Sequence, residues 1–211
     1  MSARPRFVAA SKSLLRESVL GAVDDLVREH RWSEVSMAKV AEAAGVSRQT
    51  LYNAFGTRDD LVAAYVLWAA EGLLDDVEHL VREHRDDMVA ALRAGFERFL
   101  SVAPEHPLVR ALVASSGSDD LHTLVSTPAG TPLIVNATSR LSEILLDVWP
   151  ELPGEAVFVV ADVLIRLAIS NVTIPVRSPQ EVAAAVELVA GPFVASIAAA
   201  YPDALVPADP T

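Results

Sequence analysis

The chain has 211 residues, of which 52% are hydrophobic and none is cysteine. This composition supplies a large core and excludes disulfides, cysteine-rich zinc sites and an intrinsically disordered chain. The net charge of −11 is unevenly distributed, because residues 1–60 carry nine Lys and Arg against eight Asp and Glu, whereas residues 61–211 carry eight against twenty. Only the N-terminal part is therefore suited to a polyanionic partner.

Apolar residues recur with helical periodicity along the whole chain, and strand signals are nearly absent. Breaks at Pro, Gly and Ser divide this pattern into predicted helices at 6–30, 37–44, 48–55, 58–84, 87–103, 107–115, 131–148, 155–174 and 179–200, with a further short segment near 119–126. Pro192 is expected to kink or split the last helix. The proline-rich residues 202–211 are expected to form a flexible tail.

Two short amphipathic helices in the N-terminal part are separated by a glycine turn. Ser36 and Ser47 are favourable N-caps for these helices, and Gly45 suits the left-handed residue that ends the first one. This arrangement is typical of a helix-turn-helix, whose second helix enters the major groove of DNA. The outward-facing side chains of the second helix can all donate or accept hydrogen bonds: Arg48, Gln49, Thr50, Tyr52 and Asn53. Arg is suited to guanine, and Gln and Asn are suited to adenine.

The same window resembles the DNA-binding domain of TetR-family transcriptional regulators. The resemblance lies in AEAAGVS at 41–47, in TLYNAF at 50–55 and in the basic residue Arg58, and it is weaker at Lys39 and Ala54. It implies a DNA interface in which some side chains hold phosphates, namely Ser36, Thr50, Tyr52 and Arg58. It also implies base contacts from Arg48, Gln49 and Asn53, with Ser47 in the same interface. The basic arm of Arg4, Arg6 and Lys12 is either a further DNA contact or a solubilising tail.

The resemblance implies an all-α protein with a DNA-binding domain at 1–56 and a larger domain at 57–201. TetR relatives use this second region to form a homodimer and to enclose a small ligand, and the long helix from Arg58 is expected to bridge the two domains. Apolar stripes on the last two predicted helices are suited to pairing across a two-fold axis. These stripes are Val159, Val163, Leu167 and Ile174 on one helix, and Val182, Val186, Val189, Phe193 and Ile197 on the other.

The apolar stretch at 156–176 is as long as a membrane span, but Asp162 and Arg166 lie near its middle, where each would be costly in lipid. We therefore expect a helix buried in protein. The first residues contain no apolar run of signal-peptide length, so we expect a cytoplasmic protein without a membrane association.

Large apolar side chains outside the helix-turn-helix are candidates for the wall of a ligand pocket, although each also fits a plain core. The candidates are Tyr65, Trp68, Leu92, Phe96, Phe99, Leu112, Leu145 and Trp149. Arg166 either pairs with Asp162, four residues earlier on the same helix face, or anchors an anionic head group. An anchor would indicate a fatty acid or an acyl-CoA. The sequence as a whole also resembles actinobacterial regulators of lipid and alkane metabolism.

The sequence thus predicts a ligand-responsive regulator, a repressor that binds a palindromic operator as a homodimer. A small apolar or amphipathic effector is expected to release it from DNA. We expect no cofactor, no metal site and no enzymatic activity. The alternative is a helical lipid-binding carrier without a DNA function, and the polar side chains of the second short helix disfavour it.

Overall fold

A computed structural model describes residues 4–114 and 130–201, with side chains described for 11–111 and 130–201. Its helices are α1 (Arg4–Glu29), α2 (Met37–Ala43), α3 (Arg48–Phe55), α4 (Arg58–Glu83), α5 (Met88–Val102), α6 (Pro107–Ala114), α7 (Thr131–Val148), α8 (Gly154–Thr173) and α9 (Pro179–Ala200). Short 3₁₀ turns occur at Trp32–Glu34 and Ala103–Glu105, and these described residues contain no strand. The all-α prediction is confirmed. The predicted short helix at 119–126 and the predicted tail lie outside the described residues.

α9 continues through Pro192 without a break, so of the kink or split expected there the split does not occur. Proline lacks the N–H that would bond to the carbonyl of Leu188, one turn earlier. Leu188 and Pro192 both lie on the exposed side of α9, where water can solvate the unpaired carbonyl.

The described residues form two compact units, one from residues 4–69 with 110–114 and 130, and one from residues 70–109 and 131–201. The division falls inside α4, between Ala69 and Ala70, whereas the sequence predicts a domain boundary ahead of that helix. The first half of α4 belongs to the first unit because its apolar side chains, including Leu61 and Val66, are buried there.

A buried polar group joins α1 to α4 in the first unit. The Tyr65 hydroxyl donates to Oδ1 of Asp24 at 2.8 Å, and Arg28 donates to Oδ2 of the same carboxylate at 2.7 Å. Burial raises the pKa of Tyr65, so its hydroxyl remains a donor at neutral pH. The Trp32 ring stacks on the Tyr65 ring with 6.0 Å between centroids. These contacts fix the start of α4 against the helix that supports α2 and α3.

The second unit is built from two closely packed helix pairs, α5 with α9 and α7 with α8. Strong N-caps define where two of these helices begin, because Asp87 accepts from the N–H groups of Val89 and Ala90, and Ser178 forms a capping box with Glu181. The indole N–H of the buried Trp149 donates to the Arg85 carbonyl at 2.8 Å. This bond attaches the end of α7 to the loop after α4.

α8 and α9 are long and apolar enough to span a membrane, by length and composition alone. In the second unit each of them buries one face, through residues such as Ala161 and Ala183, and exposes the other. The exposed faces, which we call the α8–α9 face, carry Phe158, Val159, Val163 and Leu167 on α8, and Leu188, Val189 and Phe193 on α9. Leu167 and Val189 line a common shallow groove, so the two exposed faces adjoin.

Candidate functional site

The turn between α2 and α3 depends on the backbone of one glycine. Gly45 has a φ of +66°, which side chains other than glycine adopt only with strain. Its N–H donates to the Glu42 carbonyl, and the N–H of Val46 donates to the Ala41 carbonyl at 2.9 Å. These two bonds form a Schellman motif, which closes the last carbonyls of α2 and directs the chain into α3. The left-handed residue predicted at Gly45 is confirmed.

Serine caps fix the starts of both helices. The Ser36 hydroxyl accepts from the Lys39 N–H at 3.4 Å, and the Ser47 hydroxyl accepts from the Thr50 N–H at 3.0 Å. The hydroxyls of Ser47 and Thr50 also bond to each other at 2.8 Å. Both serines remain exposed at the helix starts, where N–H groups and the helix dipole favour an anion.

α3 separates an apolar face from a hydrogen-bonding face. Leu51 and Phe55 are buried and attach α3 to the unit, which turns the opposite side outward. The exposed side chains on that side are Arg48, Gln49, Tyr52 and Asn53, and Thr50 is half-buried beside them. The Gln49 amide donates to the Asn53 side chain at 2.9 Å, so these two groups are ordered before any partner arrives. The structure thus brings the predicted base-contacting residues together on one surface.

Two arginines hold this surface in place. The Arg16 guanidinium donates to the Ala54 carbonyl at 3.0 Å and lies 4.5 Å above the Phe55 ring, which joins α1 to the end of α3. Sequence reasoning missed Arg16, because its partner is a backbone carbonyl 38 residues away. Arg58 is half-buried, donates to the Val35 carbonyl at 3.4 Å and lies 5.4 Å above the Trp32 ring. Its phosphate contact stays a prediction.

The predicted basic arm is only partly described. Lys12 is exposed on α1, whereas the side chains of Arg4 and Arg6 lie outside the described residues.

The second unit contains an apolar cavity of about 110 Å³. Its wall includes five of the predicted residues: Leu92, Phe96 and Phe99 of α5, Leu145 of α7, and Trp149. Among the described residues that line it, no side chain is charged, and the only N–H of a side chain is that of Trp149, which already donates to Arg85. A carboxylate buried there would have no partner and would cost several kcal/mol. The cavity is therefore suited to an alkyl or aromatic group.

Other predicted pocket residues lie elsewhere. Tyr65 and Trp68 belong to the first unit, where their rings stack at 6.2 Å. Leu112 lies in α6, and its side chain is outside the described part. The Arg166 guanidinium is exposed and donates to Asp162 at 2.8 Å, and it does not line the cavity. The structure thus shows the Arg166–Asp162 pair that the sequence left as one of two possibilities.

Sequence reasoning missed the part of the wall that α4 supplies. Leu74, Val77 and Val81 of α4 line the cavity, and their spacing of three and four residues was a readable signal. From α8, the cavity is lined by Leu164 and Ile165, which lie on the face opposite the stripe that the sequence emphasised. Hydrophobicity alone does not distinguish these two faces, because both are apolar.

Comparison with known proteins identifies the class of this chain. Residues 22–65 match the family model described as bacterial regulatory proteins, tetR family. Residues 87–192 match the model described as the C-terminal domain of the bacterial tetracyclin repressor. Together the two matches cover well over half of the chain.

The chain is similar along most of its length to the HTH-type transcriptional regulator AlkX of Mycobacterium tuberculosis, with 34% identity over 187 residues, 89% of this chain and 88% of the relative. A similar solved structure is that of the TetR family repressor AlkX from Dietzia sp. strain DQ12-45-1b, implicated in biodegradation of n-alkanes. It has 33% identity and a TM-score of 0.76, and the match covers 85% of this chain and 97% of that one. A tetR-family regulator from Streptomyces coelicolor shares the fold at 22% identity and a TM-score of 0.50, with 91% and 85% of the chains covered.

Proposed function

Because the chain belongs to the TetR family of transcriptional regulators, we propose that it is a cytoplasmic repressor that binds a palindromic operator as a homodimer. The observation that carries this proposal is the exposed hydrogen-bonding surface of α3. Arg48, Gln49 and Asn53 lie on it together, suited to base edges, and the serine-capped helix starts beside them are suited to phosphates. In a dimer, two such helices would enter successive major grooves about 34 Å apart.

The α8–α9 face supports the homodimer. It exposes large side chains that include Leu188 and Val189, each about four-fifths accessible, and such surfaces usually pack against another protein. A second copy of the chain would bury this face isologously, in a four-helix interface. The length of α8 and α9 also fits a membrane span, but the Asp162–Arg166 pair lies on the exposed side of α8, where it would be costly in lipid and is tolerated as an ion pair in a protein interface.

We also propose that the cavity takes the alkyl chain of the effector. The AlkX repressor of Dietzia is implicated in n-alkane biodegradation, and alkanes, fatty acids and acyl-CoA all carry a chain that an apolar wall accepts. A carboxylate or thioester would remain at the mouth of the cavity, because the described wall offers it no partner. Since α4 contributes residues to both units, a shift of its cavity wall is the proposed route by which the effector releases DNA.

The DNA proposal is tested by fluorescence anisotropy with DNA upstream of the gene and with genomic fragments selected by the purified protein. Wild-type protein should bind tightly and with strong salt dependence. Arg48→Ala should weaken specific binding by roughly tenfold to a hundredfold, the usual value of one bidentate base contact. The matched control is Arg85→Ala, which removes an exposed arginine from the second unit.

The effector proposal is tested by measuring release of the protein from the same DNA on addition of n-alkanes, fatty acids and acyl-CoA of increasing chain length. Release by a chain of one length class would support a cavity of defined size. If genomic selection recovers no specific fragment and a member of the panel still binds, the repressor proposal is wrong and the carrier function replaces it.

A further inference from the structure

Six charged side chains connect α4 to α7 on the outside of the cavity wall. We call them the α4–α7 clamp: Glu71, Asp75, Glu78 and Arg82 of α4, with Arg140 and Asp147 of α7. The α4 residues follow one another at intervals of four, three and four, so they share one helix face. Arg140 and Asp147 are two turns apart on α7 and face the same way.

Arg140 is the centre of the clamp. Its guanidinium reaches Glu71 at 3.3 Å and Asp75 at 3.4 Å, and it donates to Glu78. Glu78 also accepts from Arg82 at 2.7 Å, and Arg82 in turn bonds to Asp147. The side chains of Arg140 and Glu78 are 27% and 22% exposed, whereas their four partners are about half exposed or more. The central pair is therefore screened less by solvent than an ordinary surface ion pair.

Among the helices that line the cavity, α4 has a backbone that lies farther from its neighbours, although its apolar side chains are buried. The backbones of α5 and α9 lie against each other, as do those of α7 and α8, whereas within the described residues of this unit no helix backbone approaches α4 as closely. Side chains attach this half of α4 instead, through Val77 and Val81 on the cavity side and through the clamp on the outer side. An exposed pair between Asp76 and Arg98 adds one bond to α5.

The cavity is small for an effector. At about 110 Å³ it holds only part of a long alkyl chain, and typical ligand pockets are several times larger, roughly 300–1,000 Å³. A larger ligand either leaves its remainder at the mouth of the cavity or displaces a wall, and among the described cavity walls α4 is the one whose backbone lies farther from its neighbours. Separating α4 from α7 stretches or breaks the bonds of Arg140.

We propose that Arg140 is a positioning residue that holds α4 against α7 in the effector-free protein, so that the clamp sets the ligand concentration at which the cavity opens. This inference rests on the proposed function of the cavity as the effector site. The clamp opposes entry of any ligand larger than the cavity, whatever its head group, and salt weakens this opposition because it screens the outer ion pairs.

The test measures binding of N-phenyl-1-naphthylamine, an uncharged apolar dye larger than the cavity, to the full-length protein. Its fluorescence is titrated in wild type, in Arg140→Gln and in the matched control Arg93→Gln. Arg93 forms one exposed pair with Glu187 at 3.1 Å and joins α5 to α9, two helices that already pack closely. Each titration is run at low and at high KCl.

Arg140→Gln is expected to lower the dye dissociation constant roughly threefold to tenfold, the range of a partly buried ion-pair network. The control should stay within about twofold of wild type, because its pair does not restrain α4. High salt should tighten dye binding to wild type and to the control more than to Arg140→Gln.

Arg140→Lys keeps the charge and should restore most of the wild-type value. Glu78→Gln removes the other half of the central pair and should reproduce the gain, which provides a second test if Arg140→Gln fails to fold.

A cavity-filling variant, Ala168→Phe, separates the two ways in which the inference fails. Ala168 lines the cavity and is buried. If dye binding disappears in Ala168→Phe but is equal in wild type and Arg140→Gln at both salt concentrations, the clamp proposal is overturned and the cavity remains the ligand site. If Ala168→Phe binds the dye as wild type does, the proposed effector site is itself wrong.

Discussion

The two units of the molecule differ in where they place their polar groups. The first unit presents hydrogen-bonding side chains on α3 and encloses a stacked aromatic group around Tyr65. The second unit encloses an apolar cavity and exposes apolar side chains on the α8–α9 face. The DNA recognition proposed for the first unit would therefore depend on individual donors and acceptors, whereas the ligand and dimer contacts proposed for the second would depend on volume and on burial of apolar surface.

The largest effect is expected at the α8–α9 face. Val163→Asp would place a carboxylate in the proposed dimer interface, where an unpaired buried charge costs about 3–5 kcal/mol. The dimer should dissociate at micromolar concentration, which sedimentation velocity would detect. The matched control is Val135→Asp, because Val135 of α7 is equally exposed and lies outside the α8–α9 face. Dissociation in both variants or in neither would contradict this interface.

The next largest effect is expected at the hydrogen-bonded group of Tyr65, Asp24 and Arg28 in the first unit. Tyr65→Phe removes the hydroxyl that donates to Asp24 and leaves that buried carboxylate with Arg28. Loss of one partner of a buried acceptor costs about 1–3 kcal/mol of unfolding free energy. Thermal or urea unfolding measures this loss, and Trp68→Phe, which keeps an aromatic ring in the same stack, is the control. Equal stability of Tyr65→Phe and wild type would show that the bond to Asp24 contributes nothing.

A smaller effect is expected at the turn between α2 and α3. Gly45→Ala adds a side chain at a φ of +66°, which costs about 1 kcal/mol although nothing lies within 4 Å of the added carbon. The melting temperature should fall by a few degrees, roughly 2–4 °C for a chain of this size. Gly21→Ala is the control, because Gly21 lies inside α1 with the same open space and should tolerate alanine. A variant at Gly45 that melts as wild type does would argue against a strained turn.

The smallest effect is a dependence of stability on pH. Hydrogen bonds from the hydroxyl and the N–H of Thr57 lower the pKa of Asp60 below its usual 3.8. The contribution of these hydrogen bonds to the free energy of unfolding is therefore complete above pH 3.8. It is lost as the pH falls through the lowered pKa of Asp60. Asp60→Asn should melt with a weaker pH dependence than wild type in this acidic range. Asp59→Asn removes a carboxylate from the same turn and should follow wild type, so an identical response of all three proteins would contradict the assignment.

Local rules predicted the two short helices of the first unit and the turn between them, but not the stack of Tyr65 and Trp68, which the sequence assigned to the pocket wall. Caps at Ser36 and Ser47 and a left-handed Gly45 are decided by neighbouring residues, so the sequence contains the information that places α2 and α3. The bonds that Arg16 and Arg58 make to carbonyls distant in the chain depend on tertiary packing, and no short pattern encodes them.

The second unit could be predicted only in part, for a physical reason. Helix bounds follow from Pro and Gly breaks, and both aromatic residues of α5, Phe96 and Phe99, were correctly expected in the wall of the cavity. The faces of α8 and α9 are apolar on both sides, so periodicity cannot tell the core side, as at Leu164, from the exposed side, as at Val163. Arg140 escaped notice because its three partners lie more than 60 residues away in α4.

If occupation of the cavity controls DNA binding by the first unit, a variant with a filled cavity should bind DNA and no longer respond to the ligand. Release of wild type and of Ala168→Phe from the same DNA is measured by anisotropy, with whichever alkane, fatty acid or acyl-CoA releases wild type. Ala168→Phe is expected to fold and to bind DNA but not to respond to the ligand, because the added ring fills the cavity. Release of both proteins at the same ligand concentration would contradict this expectation.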